Sequence, residues 1–218
     1  MIPKIIHYCW FGQSEKPALV RKCMESWREV LPDWEFVEWN ESNSPLSVPY
    51  VRNALKAQRY AFAADYVRFH ALQTIGGVYL DTDMELLKDL SPLLNDKFFI
   101  GRESEDFINA AIIGSEKGER IVTLILDELK SRAGKSFESI PVIITDVLNK
   151  NGGVYSNEVI YDTDYFYPFN PFDNKRNEIK QLFYRDITEN TYAIHHWQQS
   201  WQYTLIERVI NRFKAFIK

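Results

Sequence analysis

Asp81 and Asp83, separated by Thr82, follow directly on the apolar run Val78-Tyr79-Leu80. Two carboxylates one residue apart at the end of a buried strand cannot both enter an apolar interior unpaired, because an isolated buried charge is costly. They call for a cation. A hard divalent ion such as Mn²⁺ or Mg²⁺ takes oxygen ligands of this kind; it also binds diphosphate oxygens and stabilises the charge on a departing nucleoside diphosphate. The same tripeptide also describes solvated turn carboxylates, or a helix cap at Asp83.

Two further groups carry candidate chemistry. Asp65 and Arg68 stand three apart on one helical face, a spacing that also describes a surface ion pair. Near the other end, Ala193-Ile-His195-His196-Trp197-Gln-Gln-Ser200-Trp201 gathers two of the four histidines and two of the six tryptophans. Imidazole can complete a metal shell or contact phosphate, and an indole N–H can donate to a phosphate oxygen; a packed strand would use the same residues. Aspartate-nucleophile phosphohydrolases also place Asp-x-Asp after a strand. They carry Thr or Val where this chain has Glu85, and the pair lies far from the start of the chain, so that reading ranks below a transferase.

The elements that must position these groups alternate. Residues 2–10 read as a buried strand, 15–30 as a helix with one apolar face, 34–39 as a second strand, and 40–49 as a loop with two prolines. A long or broken helix over 50–75 ends at Gly76-Gly77, and the strand 78–80 delivers Asp81. Strands over 97–101 and 110–114, helices over 119–132 and 141–149, a Tyr- and Phe-rich stretch with Pro168 and Pro171, and a strand over 191–197 follow. The pattern predicts an α/β fold with a mixed, mostly parallel central sheet flanked by helices, where ligands gather beyond the carboxyl ends of the strands.

At 218 residues, 45% hydrophobic and 26% charged, the chain suits one large globular domain over 1–202 followed by a helix over 203–218. A formal charge of −4 argues against a nucleic-acid partner, which would demand a basic footprint. Cys9 and Cys23, without CxxC spacing, suggest neither a disulfide framework nor a zinc site. Residues 1–10 do not read as a secretory leader, so the expected location is the cytoplasm. The final helix sets Leu205, Val209, Phe213 and Phe216 on one face and basic residues largely elsewhere. It reads as docked on the core, against another subunit, or peripherally on the inner face of a membrane.

Taken together, Ile2-Pro-Lys-Ile-Ile-His-Tyr-Cys-Trp-Phe-Gly, Ala64-Asp65-Tyr-Val-Arg68, Gly76-Gly-Val-Tyr79-Leu-Asp81-Thr-Asp83 and the His-His-Trp to Ser-Trp ending resemble glycosyltransferase family 32, the DXD-motif sugar transferases. That family includes bacterial capsular polysaccharide and lipopolysaccharide transferases, yeast mannosyltransferases and, more distantly, glucosylating clostridial toxins. The resemblance implies a GT-A fold and a nucleotide-sugar donor, UDP-linked by preference. It also implies Mn²⁺ or Mg²⁺, retention at the anomeric carbon, and transfer of a hexosyl unit to a glycan or lipid-linked acceptor in surface polysaccharide synthesis. Carried over, Trp10 stacks on the donor base, Asp65 and Arg68 contact donor sugar and diphosphate, Tyr79 precedes the acidic pair, Asp81 faces sugar or ribose, and Asp83 ligates the metal. Ser200 and Trp201 become phosphate contacts of a closing loop. His195 takes the metal-side position ahead of His196, because strand alternation lets one of them face the site. Asn109 and Asp146 match more loosely as sugar-contacting or acceptor-side groups. A second reading keeps the fold for recognition alone, as a non-catalytic nucleotide-sugar or glycan-binding protein.

Overall fold

The computed structural model describes residues 1–12, 14–132, 138–173 and 180–198. Ser200, Trp201 and the helix expected over 203–218 lie outside the described residues. A six-stranded sheet runs in the order β2-β1-β3-β6-β5-β7, built from β1 (Ile5–Cys9), β2 (Glu35–Trp39), β3 (Gly77–Leu80), β5 (Phe98–Arg102), β6 (Ile108–Ser115) and β7 (Glu158–Tyr161). β1 pairs in parallel with β2 and β3, β5 in parallel with β7, and β6 runs antiparallel to both β3 and β5. Five strands therefore end at one edge, and β6 begins there. The sheet is mixed and mostly parallel, as the alternation of elements predicts.

Side-chain alternation sends the strands into two cores. Cys9, Tyr79, Phe98, Ile100 and Ile113 pack on one face with the helices α2 (Pro49–Lys56), α3 (Tyr60–Thr74), α4 (Arg120–Ser131) and α5 (Ile140–Lys150). Ile6, Tyr8, Val78, Leu80, Phe99 and Ile112 pack on the other with α1 (Ala18–Val30) and the short α6 (Thr163–Phe166). The expected 50–75 helix is broken rather than continuous. α2 closes in a Schellman turn, with Arg59 N–H bonded to Ala54 O at 2.8 Å and Gln58 N–H to Leu55 O at 2.9 Å. Gln58 takes the left-handed position at φ 55°, where glycine is the commoner signal, which hides the break from the sequence.

A second, two-stranded sheet joins β4 (Met84–Leu86) to β8 (Ala193–His195), pairing Met84 with His195 and Glu85 with Ile194. α1 anchors it: the fully buried Trp27 donates from Nε1 to Met84 O at 2.6 Å, and Leu86 N–H donates to Ser26 Oγ at 3.0 Å. β8 covers three residues rather than the expected 191–197: Thr191 N–H closes a turn on Thr188 O at one end, and Trp197 turns into the left-handed region at φ 54° at the other.

His7 braces the turn that feeds β3. Trp39 Nε1 donates to its Nδ1 at 3.2 Å, so Nε2 carries the proton and donates to Gly76 O at 2.8 Å. Gly77, at φ 117°, passes so close that a Cβ would lie 2.7 Å from Ile5 O and 3.1 Å from His7 Nε2. Burial holds the imidazole below its ordinary pKa of 6.5, against the pull of Gly76 O and Glu35. Below pH 6.5 the unfolded chain then binds the proton that the folded one refuses, so stability is full above 6.5 and falls as pH drops toward the lowered folded value. Thermal melts from pH 7.5 to 5 should show the advantage of the wild type over His7→Gln narrowing with acid; a constant gap would contradict this.

Candidate active site

The carboxyl edge of the sheet collects the charged groups, and α3 supplies the first two. Its residues 63–69 are all buried, as expected of a helix packed on every side. Asp65 and Arg68 are therefore not the surface pair that their spacing allows: their side chains are 8% and 5% exposed and meet at 2.9 Å. Arg68 Nη1 donates to Ala110 O on β6 at 2.7 Å, its Nε to Ala64 O at 3.3 Å, and its two amino groups reach Asp81 at 3.3 and 3.4 Å. The guanidinium lies 4.7 Å from the ring centre of Tyr79, whose hydroxyl donates to Asp81 Oδ1 at 3.0 Å. One cation thus links α3, β3 and β6. Burial raises the Asp65 carboxyl above its usual range, Arg68 pulls it back, and Asp81 adds to the rise.

Asp83 sits one turn further on, tied to the β8 segment. Its main-chain oxygen accepts from His196 N–H at 3.0 Å, its Oδ2 accepts from Gln198 N–H at 2.8 Å, and His195 Nε2 lies 3.3 Å from its Oδ1. Burial alone would raise Asp83, but His195 and the Gln198 N–H hold it below the usual carboxylate range. Burial likewise works against charge on His195, while Asp83, Asp81 and Glu103 draw its pKa above the ordinary value.

Asp81, Asp83 and His195 each present one ligand atom within 4.8 Å of the others. His195 Nδ1 is buried and has no hydrogen-bond partner among the described residues. Two carboxylates and an imidazole with one unpartnered ring nitrogen suit a divalent ion with oxygen and nitrogen ligands.

The other expected residues divide. The antiparallel register sets Ile194 and His196 on the side of Glu85, and His196 Nε2 bonds Glu85 Oε2 at 2.8 Å, outside the three-residue cluster. Trp10 follows β1 at the same edge, half-buried, with Nε1 donating to Ser14 O at 3.0 Å and Lys16 Nζ 5.3 Å from its ring centre. One ring face is thus shared with an ammonium group. Asp146 lies on α5 beside Lys150 at 3.8 Å and is about half exposed, apart from the cluster. Asn109, at the start of β6, accepts from Ala111 N–H at 2.7 Å and donates to Glu103; the Tyr167 hydroxyl donates to its main-chain oxygen at 3.3 Å.

Sequence reasoning overlooked three neighbours. Cys9 lies among Arg68, Tyr79, Asp81 and Asp65, and burial pushes its thiol up to about 12. Tyr167 meets His195 edge-on at 5.7 Å and Trp197 at 6.1 Å. Glu103, just past β5, is raised by burial and lowered by Asn109 and His195. Cys9 closes an apolar strand and Glu103 lies in an acid-rich loop, and neither context marks a site.

Comparison with known proteins agrees with this geometry. Residues 17–100 match the family described as a glycosyltransferase sugar-binding region containing a DXD motif. The chain is 29% identical to inositol phosphoceramide mannosyltransferase 3 of Schizosaccharomyces pombe over 59% of this chain and 37% of that protein. It is 26% identical to lactosylceramide 4-alpha-galactosyltransferase of Mus musculus over 76% of this chain and 49% of the relative. The chain thus spans half or less of the length of these relatives. Among solved structures, the PaToxG glycosyltransferase superposes with a TM-score of 0.58 at 18% identity, covering 69% of this chain and 70% of that one. The fold is that of the GT-A glycosyltransferases, in line with the family resemblance.

Replacing Arg68 by Met should strand the Asp65 carboxylate in the interior and cost about 3–5 kcal/mol. The double variant Asp65→Asn/Arg68→Met should recover part of that loss in urea unfolding. A single-variant loss under about 1 kcal/mol, the range of exposed pairs, would contradict the buried-pair description.

Proposed function

We propose that this chain, whose residues 17–100 match the sugar-binding region of the DXD glycosyltransferases and whose fold is GT-A, is a metal-dependent, retaining hexosyltransferase. Its donor is a nucleoside-diphosphate sugar, UDP-linked by preference, and its acceptor a glycan or lipid-linked hydroxyl. The observation that carries this reading is the meeting of Asp81 and Asp83 from one end of β3 with His195 from a segment more than a hundred residues away.

Asp81, Asp83 and His195 would hold the divalent ion, which supplies positive charge to the donor diphosphate. Arg68 is fixed by Asp65, Ala110 O and the Tyr79 ring, so its charge is oriented before substrate arrives and needs no reorganisation as negative charge develops on the leaving group. Asp81 is shared between Arg68 and the Tyr79 hydroxyl, which keeps its carboxylate aimed at the edge of the sheet. Trp10 offers an aromatic surface for the base. The acceptor hydroxyl replaces the nucleoside diphosphate at the anomeric carbon and its proton passes to the departing diphosphate, either by attack on the face that the diphosphate leaves or through a covalent glycosyl-enzyme; retention follows from family resemblance.

The relatives support the acceptor class by name. Both the yeast mannosyltransferase and the mouse galactosyltransferase are named for sphingolipid acceptors, which favours a lipid-linked acceptor over a free glycan. Surface polysaccharide synthesis remains the proposed setting, with the enzyme in the cytoplasm or peripheral at the inner face of the membrane through 203–218. No helix among the described residues is long and apolar enough to cross a membrane.

Asp83→Ala should lower Mn²⁺-dependent hydrolysis of the preferred nucleotide sugar by on the order of a hundredfold or more, with the circular dichroism spectrum unchanged. Undiminished turnover in a folded variant would sink the assignment.

A further inference from the structure

Glu103 is a half-buried carboxylate for which the proposed chemistry has so far had no use. It stands just past the carboxyl end of β5, on the same edge as Asp81. Along that edge the strands run β1, β3, β6, β5, so Trp10, Asp81, Asn109 and Glu103 follow one another in space. Trp10 lies on one side of the acidic pair and Glu103 on the other, two strand spacings or about 10 Å from β3.

Three observations define its surroundings. Glu103 Oε2 accepts a hydrogen bond from Asn109 Nδ2, and Asn170 Nδ2 holds the Glu103 main-chain oxygen at 3.0 Å, so the side chain is placed rather than loose. Among the described residues no Lys or Arg pairs with it, and Oε1 has no hydrogen-bond partner. It also falls outside the group formed by Asp81, Asp83 and His195. The ring of Tyr167 lies between His195, at 5.7 Å, and Asn109, whose main-chain oxygen takes the Tyr167 hydroxyl at 3.3 Å. Tyr167 is fully buried and backs both His195 and Asn109, and beyond Asn109 the acceptor-only Glu103 carboxylate stays half-buried at the edge of the sheet. A carboxylate with an open oxygen and no Lys or Arg partner is matched by O–H donors, and a hexosyl ring offers several.

We propose that Glu103, braced by Asn109, receives hydroxyl groups of the transferred hexosyl unit and sets which hexose the enzyme accepts, without contributing to binding of the nucleoside diphosphate. This assignment rests on the glycosyltransferase reading. If the base stacks at Trp10 and the diphosphate lies at Asp83 and Arg68, the sugar extends along the edge toward β6 and β5.

The test uses the full chain with Mn²⁺, either UDP or GDP (whichever the wild type binds more tightly), and the glucose, galactose and mannose donors of that nucleotide. Glu103→Gln keeps an oxygen for Asn109 and replaces one acceptor by a donor; Glu103→Ala removes both. The expected result is a nucleotide Kd within about twofold of wild type in both variants. The kcat/KM for hydrolysis of the preferred donor should fall about tenfold or more, and the ratio between hexoses should move toward one. Unchanged kcat/KM and hexose ratios would overturn the proposal. So would a nucleotide Kd that weakens in step with kcat/KM, which would make Glu103 a support of the metal side. A loss confined to transfer, with donor hydrolysis intact, would also overturn it by assigning Glu103 to the acceptor. A wild type that neither binds a nucleoside diphosphate nor hydrolyses any donor would instead bring down the glycosyltransferase reading, and this inference with it.

Discussion

The arrangement depends on a guanidinium placed where water cannot reach it. Arg68 is almost fully buried, and a charge in that setting survives only with its hydrogen-bonding capacity satisfied. Asp65 on its own helix, Asp81 at the end of β3, Ala110 O on β6 and the face of Tyr79 together provide this. Asp81 is consequently not a free turn carboxylate. It is half committed to Arg68 and half open to the edge, and this sets its position relative to Asp83 before any ligand binds.

The second constraint is the small β4–β8 sheet. A strand of three residues is weak alone, and this one is secured by Trp27 and Ser26 of α1 on one side and by the Asp83 main chain on the other. Its register decides which histidine joins the acidic pair. With Glu85 opposite Ile194, His196 bonds Glu85 and His195 turns toward Asp83. The cluster is thereby assembled from a strand end and a distant segment, each rigid for its own reasons, as preorganised electrostatics requires.

Legibility from sequence follows how local each feature is. The strand-then-Asp-x-Asp signal is contiguous, and the Gly76-Gly77 break before it is visible in composition. Strand alternation favours one histidine of the His195-His196 pair without any knowledge of the partner strand. The burial of Asp65 and Arg68 is not legible, because i,i+3 charges on an exposed face and on a fully packed helix have the same spacing. β4 and β7 are too short to register as periodic, and the Schellman turn at Gln58 lacks its usual glycine. Glu103 is hidden by its acidic neighbours, which describe a solvated loop, while its hydrogen bond to Asn109 depends on the β5–β6 hairpin.

The central claim is that residues from β3 and from β8 share one metal. Pulsed electron paramagnetic resonance on the Mn²⁺-loaded protein tests it directly, because a coordinated imidazole couples its nitrogen to the electron spin. The account predicts a nitrogen coupling that vanishes in His195→Ala and persists in His196→Ala. A spectrum without nitrogen coupling, or a coupling lost in His196→Ala and kept in His195→Ala, would contradict it.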